Sequence, residues 1–297
     1  MVEVCSGSDR IRLELTKMAF DPDMTSTTAA ALTSPAAFFA WCLHSVDQDK
    51  IPFRANYPQY FATPNSASYL WRTYDRRLSE VIELVRPGLR VLEIGCGIGS
   101  DLHWLALHGA KVTGIDVKSE WTDAAQLLTK HVCATLAPVT VDIQRINLLD
   151  LSDAQYDLIY MKDTFHHLEP RDRIVAKIAS LLARGGKVVI VEPNAWNPAI
   201  QFKMFRIRGF NTIVEKIDKA TGEHFIYGNE RLVSGSSIAR NFELHGIKGS
   251  SRLFRLLPTA FASNSLLVGL ANLMEKLRLE PLLVPICIHS VYCGTKS

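Results

Sequence analysis

The amino-acid sequence predicts an α/β chain whose parallel sheet is covered by helices on both faces, and three observations predict it. Residues 90–116, RVLEIGCGIGSDLHWLALHGAKVTGID, read as strand, glycine-rich turn, helix and strand. Beyond them, short apolar runs alternate with helix-length amphipathic segments as far as Glu192, the pattern of repeated βαβ units. With 297 residues and 47% apolar content, the chain can bury a core suited to one decorated domain rather than two equal ones.

Residues 1–65 precede this core. A Thr/Ser/Ala stretch from Thr25 leads to Phe38, Phe39, Trp41 and Leu43, which water would not tolerate uncovered. The segment reads as a helical extension that packs on the core or on a neighbouring subunit, with a partly disordered leader before about residue 30 as the alternative. It is expected to cover the cleft and contribute to a homo-oligomer, and its removal is expected to spare cofactor binding.

The domain proper is expected over residues 66–297. Ser66 caps a helix over 66–85, with Leu70, Tyr74, Leu78, Val81 and Val85 on one face, and Pro87-Gly88 stops it. Val91-Leu92-Glu93-Ile94 is typical of a buried parallel strand. Ser100 and Asp101 cap a helix carrying Leu102, Leu105 and Ala106, which Gly109 ends. A second strand over 111–115 ends at Asp116. A helix over 119–137, strands over 139–146 and 156–161, a helix over 169–183 and a fifth strand over 187–192 follow, with Pro170 in the last helix's first turn and Gly185-Gly186 after its end.

A cap insertion over 193–233 then interrupts the pattern, carrying Trp196, Phe202, Phe205, Phe210, Phe225 and Tyr227 among basic residues. A helix ending at His245, a strand over 247–253, a leucine-rich helix over 264–279 and a last strand over 286–293 complete the chain.

Composition excludes several classes. The net charge of +3 is mild and gives no electrostatic footprint for nucleic acid. The six cysteines lie far apart, none in a CxxC pair, which suits reduced thiols in the cytoplasm. Residues 1–10 lack a basic start leading into an apolar core, no apolar run is long enough for stable membrane insertion, and no internal repeat is visible.

The glycine turn identifies the ligand class. Glycine allows a tight turn and close approach of a ligand, and an acid at the tip of the second strand can accept both hydroxyls of a ribose. The dinucleotide pattern G-x-G-x-x-G requires a third glycine where this chain has Ser100. Here the spacing is G-x-G-x-G, preceded by Glu93. A buried acid beside the loop repels a pyrophosphate but suits a ligand with an ammonium group. A NAD-binding unit is therefore disfavoured against S-adenosylmethionine, which joins a ribose, a sulfonium and an amino-acid tail without phosphate.

Residues 90–116 closely resemble the first two motifs of class I S-adenosylmethionine-dependent methyltransferases. Residues 161–168, MKDTFHHL, resemble the signature of the ubiquinone-biosynthesis-like small-molecule members. The resemblance implies a Rossmann-like, doubly wound, seven-stranded, mostly parallel sheet closed by an antiparallel terminal strand. It implies that Glu93, Gly95, Cys96, Gly97 and Gly99 hold the methionine end. Asp116 would take the ribose, with Val117 against the adenine. Asn147 and Leu148, or Asp150 in place of Asn147, would meet the adenine amine, and the backbone of Met161 and Lys162 would face the methionine moiety. The N/D-P-P-Y/F tetrapeptide of amino-methylating enzymes acting on nucleic acid or glutamine is absent, which argues against base N-methylation.

A hydroxyl or acidic-carbon acceptor needs a base. His166 titrates near neutrality on the acceptor side and is the candidate, while His167 takes the more structural position. Glu192 either orients a substrate or caps the loop after it, and Glu169 either acts as a base or caps its helix. No metal site is indicated, because His103 and His108 share a helix without further ligands. The aromatics of the extension and cap suggest a lipophilic acceptor, aromatic or isoprenoid-bearing, methylated at oxygen or carbon in specialised metabolism. The rivals are a quinone or lipid precursor methyltransferase at a membrane surface, and a scaffold or cyclase that binds the cofactor without methyl transfer.

Overall fold

The structure is a computed structural model that describes residues 28–61, 68–217, 222 and 224–297. The expected cap at Ser66 and the leader before residue 28 lie outside them.

The extension forms α1 (Pro35–Ser45), α2 (Phe53–Asn56) and α3 (Pro58–Phe61). Ser34 Oγ accepts a hydrogen bond from the Ala37 N–H at 3.2 Å, and Pro35 fills the first turn, where no backbone donor is needed. Helix α1 is apolar almost all round, which suits only a buried helix. Phe38, Phe39, Trp41 and Leu43 pack with Leu70, Trp71, Tyr74, Leu102 and Trp104 of the same chain. Their apolarity is thus satisfied internally and requires no second subunit. The helix expected over 66–85 is broken at Leu78 (ψ 4°) into α4 (Tyr69–Arg77) and α5 (Ser79–Ile82).

Strands β1 (Arg90–Ile94), β2 (Lys111–Asp116), β3 (Val141–Arg145), β4 (Tyr156–Lys162) and β5 (Leu182–Pro193) run parallel. Between them lie α6 (Ser100–Leu107), α7 (Ser119–Thr135) and α8 (Arg171–Leu181). Side chains alternate between two cores, as period-2 geometry requires. Leu158, Tyr160, Val189 and Val191 join the core under α1, α4, α6 and α7. Ile159, Met161, Val188 and Ile190 join the one under α8 and α10 (Gly235–Glu243). Strand β5 begins five residues earlier than the apolar run over 187–192 suggests. Tyr156 pairs with Leu182 and Leu158 with Lys187, so Gly185 and Gly186 form a bulge inside the strand rather than a loop before it.

The cap consists of α9 (Pro198–Arg208) and an antiparallel hairpin of β6 (Ile213–Ile217) and β7 (His224–Gly228). Strand β8 (Ile247–Phe254), α11 (Ser265–Lys276) and β9 (His289–Lys296) close the sheet in the order β3-β2-β1-β4-β5-β9-β8, with β9 antiparallel to both neighbours. This is the seven-stranded, doubly wound, Rossmann-like sheet expected. Of α11 only Ala271 is buried; Leu266, Leu270, Leu273 and Leu277 face outward.

Candidate active site

A cavity of about 500 Å³ opens at the C-terminal ends of the parallel strands, where open α/β sheets bind ligands. Glu93, Gly95, Cys96, Gly97, Asp116, Val117, Asn147, Leu148 and Lys162 all line it. Gly99 instead occupies the N-cap of α6, and Met161 lies in the core beneath.

The loop after β1 is held by its own backbone: the Gly95 and Cys96 N–H groups donate to Ile115 O at 2.8 and 3.1 Å. Gly95 has φ 71°, and a Cβ there would meet Thr164 Oγ1 at 2.4 Å, so position and neighbour both exclude a side chain. Asp116 Oδ2 accepts from the Gly97 N–H at 3.1 Å and Oδ1 from the Lys118 N–H at 3.0 Å. These bonds fix the carboxylate at the cavity wall, with lone pairs to spare for ribose hydroxyls. Burial holds its pKa above the usual carboxylate range.

Glu93 is buried, and its Oε2 has no hydrogen-bond partner in the protein. Burial, then the nearby Asp101 charge, push its carboxyl well above the ordinary range. A buried acceptor without a donor fits a ligand ammonium arriving from the cavity. The sequence reading missed the polar centre beside it. Asp101 accepts from Tyr74 Oη at 2.8 Å and Tyr160 Oη at 3.0 Å and is paired with Lys162 Nζ. The Lys162 ammonium also donates to Tyr74 Oη at 3.2 Å, and the residue lines the cavity.

Asn147 Oδ1 accepts from the Leu149 N–H at 3.0 Å, capping the single 3₁₀ turn Leu148–Asp150. Its side-chain carbonyl is already engaged in the turn. Asn147 lines the cavity, whereas the exposed Asp150 is not part of its wall.

The extension and the cap complete the cavity wall. Tyr57 and Tyr60 reach it from the chain around α2 and α3, Arg77 from α4, Phe225 and Tyr227 from β7, and Arg255 from the chain after β8. Asp163 is ion-paired with Arg77, whose guanidinium holds the carboxyl well below the usual range.

The two adjacent histidines separate in role. His166 is buried, and its Nδ1 donates to Glu192 Oε2 at 2.6 Å, with Glu230 Oε2 3.6 Å from Nε2. Burial lowers its pKa, but the facing Glu192 and the Glu230 contact more than offset this and hold it at about 10. An imidazole already protonated at neutral pH, turned away from the cavity, does not accept a proton there. His167 lines the cavity, stacks on Tyr227 at 4.5 Å and bonds through Nδ1 to Gly228 O at 2.8 Å. The carbonyl can only accept, so Nδ1 carries the proton and Nε2 is the acceptor nitrogen, with Glu230 Oε1 4.0 Å away. Burial and the His166 charge bring its pKa down to about 4. Of the two, it is His167 and not the expected His166 that lines the cavity.

Both acids resolve toward scaffolding. Glu192 Oε1 accepts from the Thr164 and Phe165 N–H groups at 3.0 and 2.7 Å. Glu169 Oε2 caps the Arg171 N–H at 2.9 Å, and its Oε1 takes Arg171 and Arg231. The cap is clamped here too: Leu168 bridges Tyr227, and a Cβ on Gly228 would strike His166 O at 2.3 Å. Glu230, at a positive φ of 52°, aims its carboxylate at both imidazoles. His166, His167 and Glu230 thereby bring nitrogen and oxygen atoms within 4.8 Å of one another, a grouping that no sequence spacing suggested. His103 and His108 are occupied within α6, on Gly99 O at 2.6 Å and Trp104 O at 2.8 Å.

Residues 92–188 match the family model described as "Methyltransferase domain". Over 150 residues the chain is 26% identical to a ubiquinone biosynthesis O-methyltransferase of Coxiella burnetii, covering 50% of this chain and 62% of that protein. It is 27% identical over 136 residues to methyltransferase GfsG of Streptomyces halstedii, covering 45% and 49%. The chain spans 41–62% of the length of the curated relatives it matches. Its fold aligns with the crystal structure of magnesium protoporphyrin IX methyltransferase from Synechocystis with bound SAH, at a TM-score of 0.51 and 15% identity, covering 89% of this chain and 100% of that one.

Proposed function

We propose that this chain, which carries the class I S-adenosylmethionine-dependent methyltransferase fold, transfers a methyl group to oxygen or carbon of a small lipophilic metabolite. The observation that carries the reading is one cavity whose wall combines two chemically different sets of residues. One is the glycine loop, the unpartnered Glu93 carboxyl and Asp116; the other is the aromatic set Tyr57, Tyr60, Phe225 and Tyr227. S-adenosylmethionine, when bound, supplies an activated methyl on a sulfonium. Glu93 takes the ammonium, Lys162 the carboxylate and Asp116 the ribose hydroxyls. Transfer is an in-line displacement, so the chain's part is alignment and exclusion of water. His167 Nε2 accepts the acceptor's proton, while Glu192 and Gly228 O fix the two imidazoles.

Isothermal calorimetry with S-adenosylhomocysteine tests the cofactor half. Turnover of methyl-labelled S-adenosylmethionine against a fractionated lipophilic metabolite extract tests the rest. Binding without labelled product in any fraction would favour the scaffold or cyclase reading.

A further inference from the structure

Helix α9 has eleven residues and not one of them is buried. A helix in that position normally turns an apolar stripe to the core. Here Trp196, Phe202, Phe205, Ile207 and Phe210 face outward, with Phe202 63% and Phe210 89% exposed. Lys203 and Arg206 stand exposed among them. The segment over 195–217 has four cations and a single acid, Glu215, and so carries a charge equal to the whole net +3 of the chain.

The face is held rigidly. Asn197 Oδ1 caps the Ala199 and Ile200 N–H groups, and its Nδ2 donates to Ile286 O at 3.2 Å and Cys287 O at 3.1 Å. Asn194 Nδ2 donates to Val284 O at 2.7 Å. These bonds tie the start of α9 to the chain over 284–287, where Ile286 is itself 52% exposed. At its other margin the face meets the site: Ile226 of the hairpin is 49% exposed and also lines the cavity.

We infer that this cap face docks on the surface of an anionic lipid bilayer, with the aromatic side chains in the interface and Lys203 and Arg206 against the headgroups. The inference rests on the reading of a lipophilic acceptor and names where that acceptor enters. Aromatic and aliphatic side chains interleaved with cations, in a helix lying flat rather than spanning, are the composition of an interfacial element. Among the described residues no helix is long and apolar enough to cross a membrane. A second copy of this chain fits the face less well. A two-fold contact sets the same patch against itself, and this one would bring like charges together with one acid to offset them. A bilayer lying on the face would present a lipophilic acceptor directly to the mouth beside Ile226.

The test is sedimentation of the full chain with vesicles of phosphatidylcholine alone and of phosphatidylcholine with about one third phosphatidylserine. Binding to the anionic vesicles should exceed binding to the neutral ones at least tenfold and fall severalfold at high salt. The F202S/F205S/F210S variant and the K203E/R206E variant should each lose at least tenfold, with S-adenosylhomocysteine affinity unchanged. No preference between vesicles, or equal binding by the variants, overturns the inference. So does a wild-type dimer in light scattering that the variants convert to monomer without vesicle binding. Intact S-adenosylhomocysteine binding and turnover of a detergent-dispersed acceptor alongside a failed vesicle assay would leave the methyltransferase reading standing.

Discussion

Glu192 Oε2 accepts the Nδ1 proton of His166 at 2.6 Å, while its other oxygen holds the two backbone donors that open the loop after β4. One carboxylate at the end of β5 thus sets both the charge of a histidine and the course of the chain past the site. Against an ordinary value of 6.5, His166 is held at about 10 in the folded protein. A raised folded pKa contributes stability in full below about pH 6.5, and the contribution is lost as pH rises toward 10. Thermal unfolding should therefore shift downward across that window. Glu192→Gln should flatten the slope and cost ~3–5 kcal/mol at neutral pH, because a buried pair loses one partner. Calorimetry at stepped pH checks both; equal slopes in the two proteins would show that His166 is uncharged.

His167→Ala should lower turnover by ~10²-fold while leaving S-adenosylhomocysteine affinity within about twofold. With its pKa brought down to about 4, His167 stays neutral across the neutral range and is protonated only in acid, so turnover that depends on it should fall only there. His166→Asn should instead act on stability, through Glu192. Single-turnover kinetics set beside unfolding curves separates the two histidines. Full turnover by His167→Ala would remove it from the chemistry.

Asp116→Ala should weaken S-adenosylmethionine binding by ~1–3 kcal/mol, the range for hydrogen bonds to a charged group. The Gly97 and Lys118 N–H groups lose an acceptor as well. Asp116→Asn is the milder control, since its amide oxygen can still take one of them. Calorimetry showing no change in either variant rejects the ribose assignment.

The sheet was legible because buried parallel strands leave continuous apolar runs, such as Val91–Ile94 and Val188–Val191, bounded by glycines and acids. The glycine loop was legible for a related reason: Gly95, Gly97 and Gly99 lie close in sequence, and all three adopt positive φ. What the sequence hid depended on distant partners. His166 and His167 are adjacent in one 3₁₀ turn, and only Glu192, Gly228 and Glu230 decide which ring faces the cavity. Nothing in the periodicity of β6 and β7 marks a hairpin, because the faces are shared between cavity and solvent rather than between core and solvent. The leucines of α11 have helical spacing and read as core, yet they point outward.

The last prediction concerns the extension, which the sequence reading treated as removable. Phe39 is 1% exposed and stacks on Tyr74 at 4.9 Å, with the rings of Tyr57 and Tyr60 edge-on at 5.0 and 5.3 Å. Tyr57, Tyr60 and Tyr74 all line the cavity. The Ala36 N–H also donates to Asp75 Oδ1 at 2.8 Å, tying α1 to α4. Phe39 therefore joins the core to the cavity wall, and loss of its ring leaves a void beneath three cavity tyrosines. Phe39→Ala should cost ~3–5 kcal/mol of stability and raise the acceptor KM more than the cofactor KM. Phe210→Ala, at the exposed end of the cap, should change stability by no more than about 0.5 kcal/mol. Deleting residues 1–45 should abolish folding rather than merely open a lid, because it strips the core face of α4 and α6. Urea unfolding of the point variants and circular dichroism of the truncation measure these outcomes. A folded truncation that binds S-adenosylhomocysteine normally would return the extension to the status of a lid.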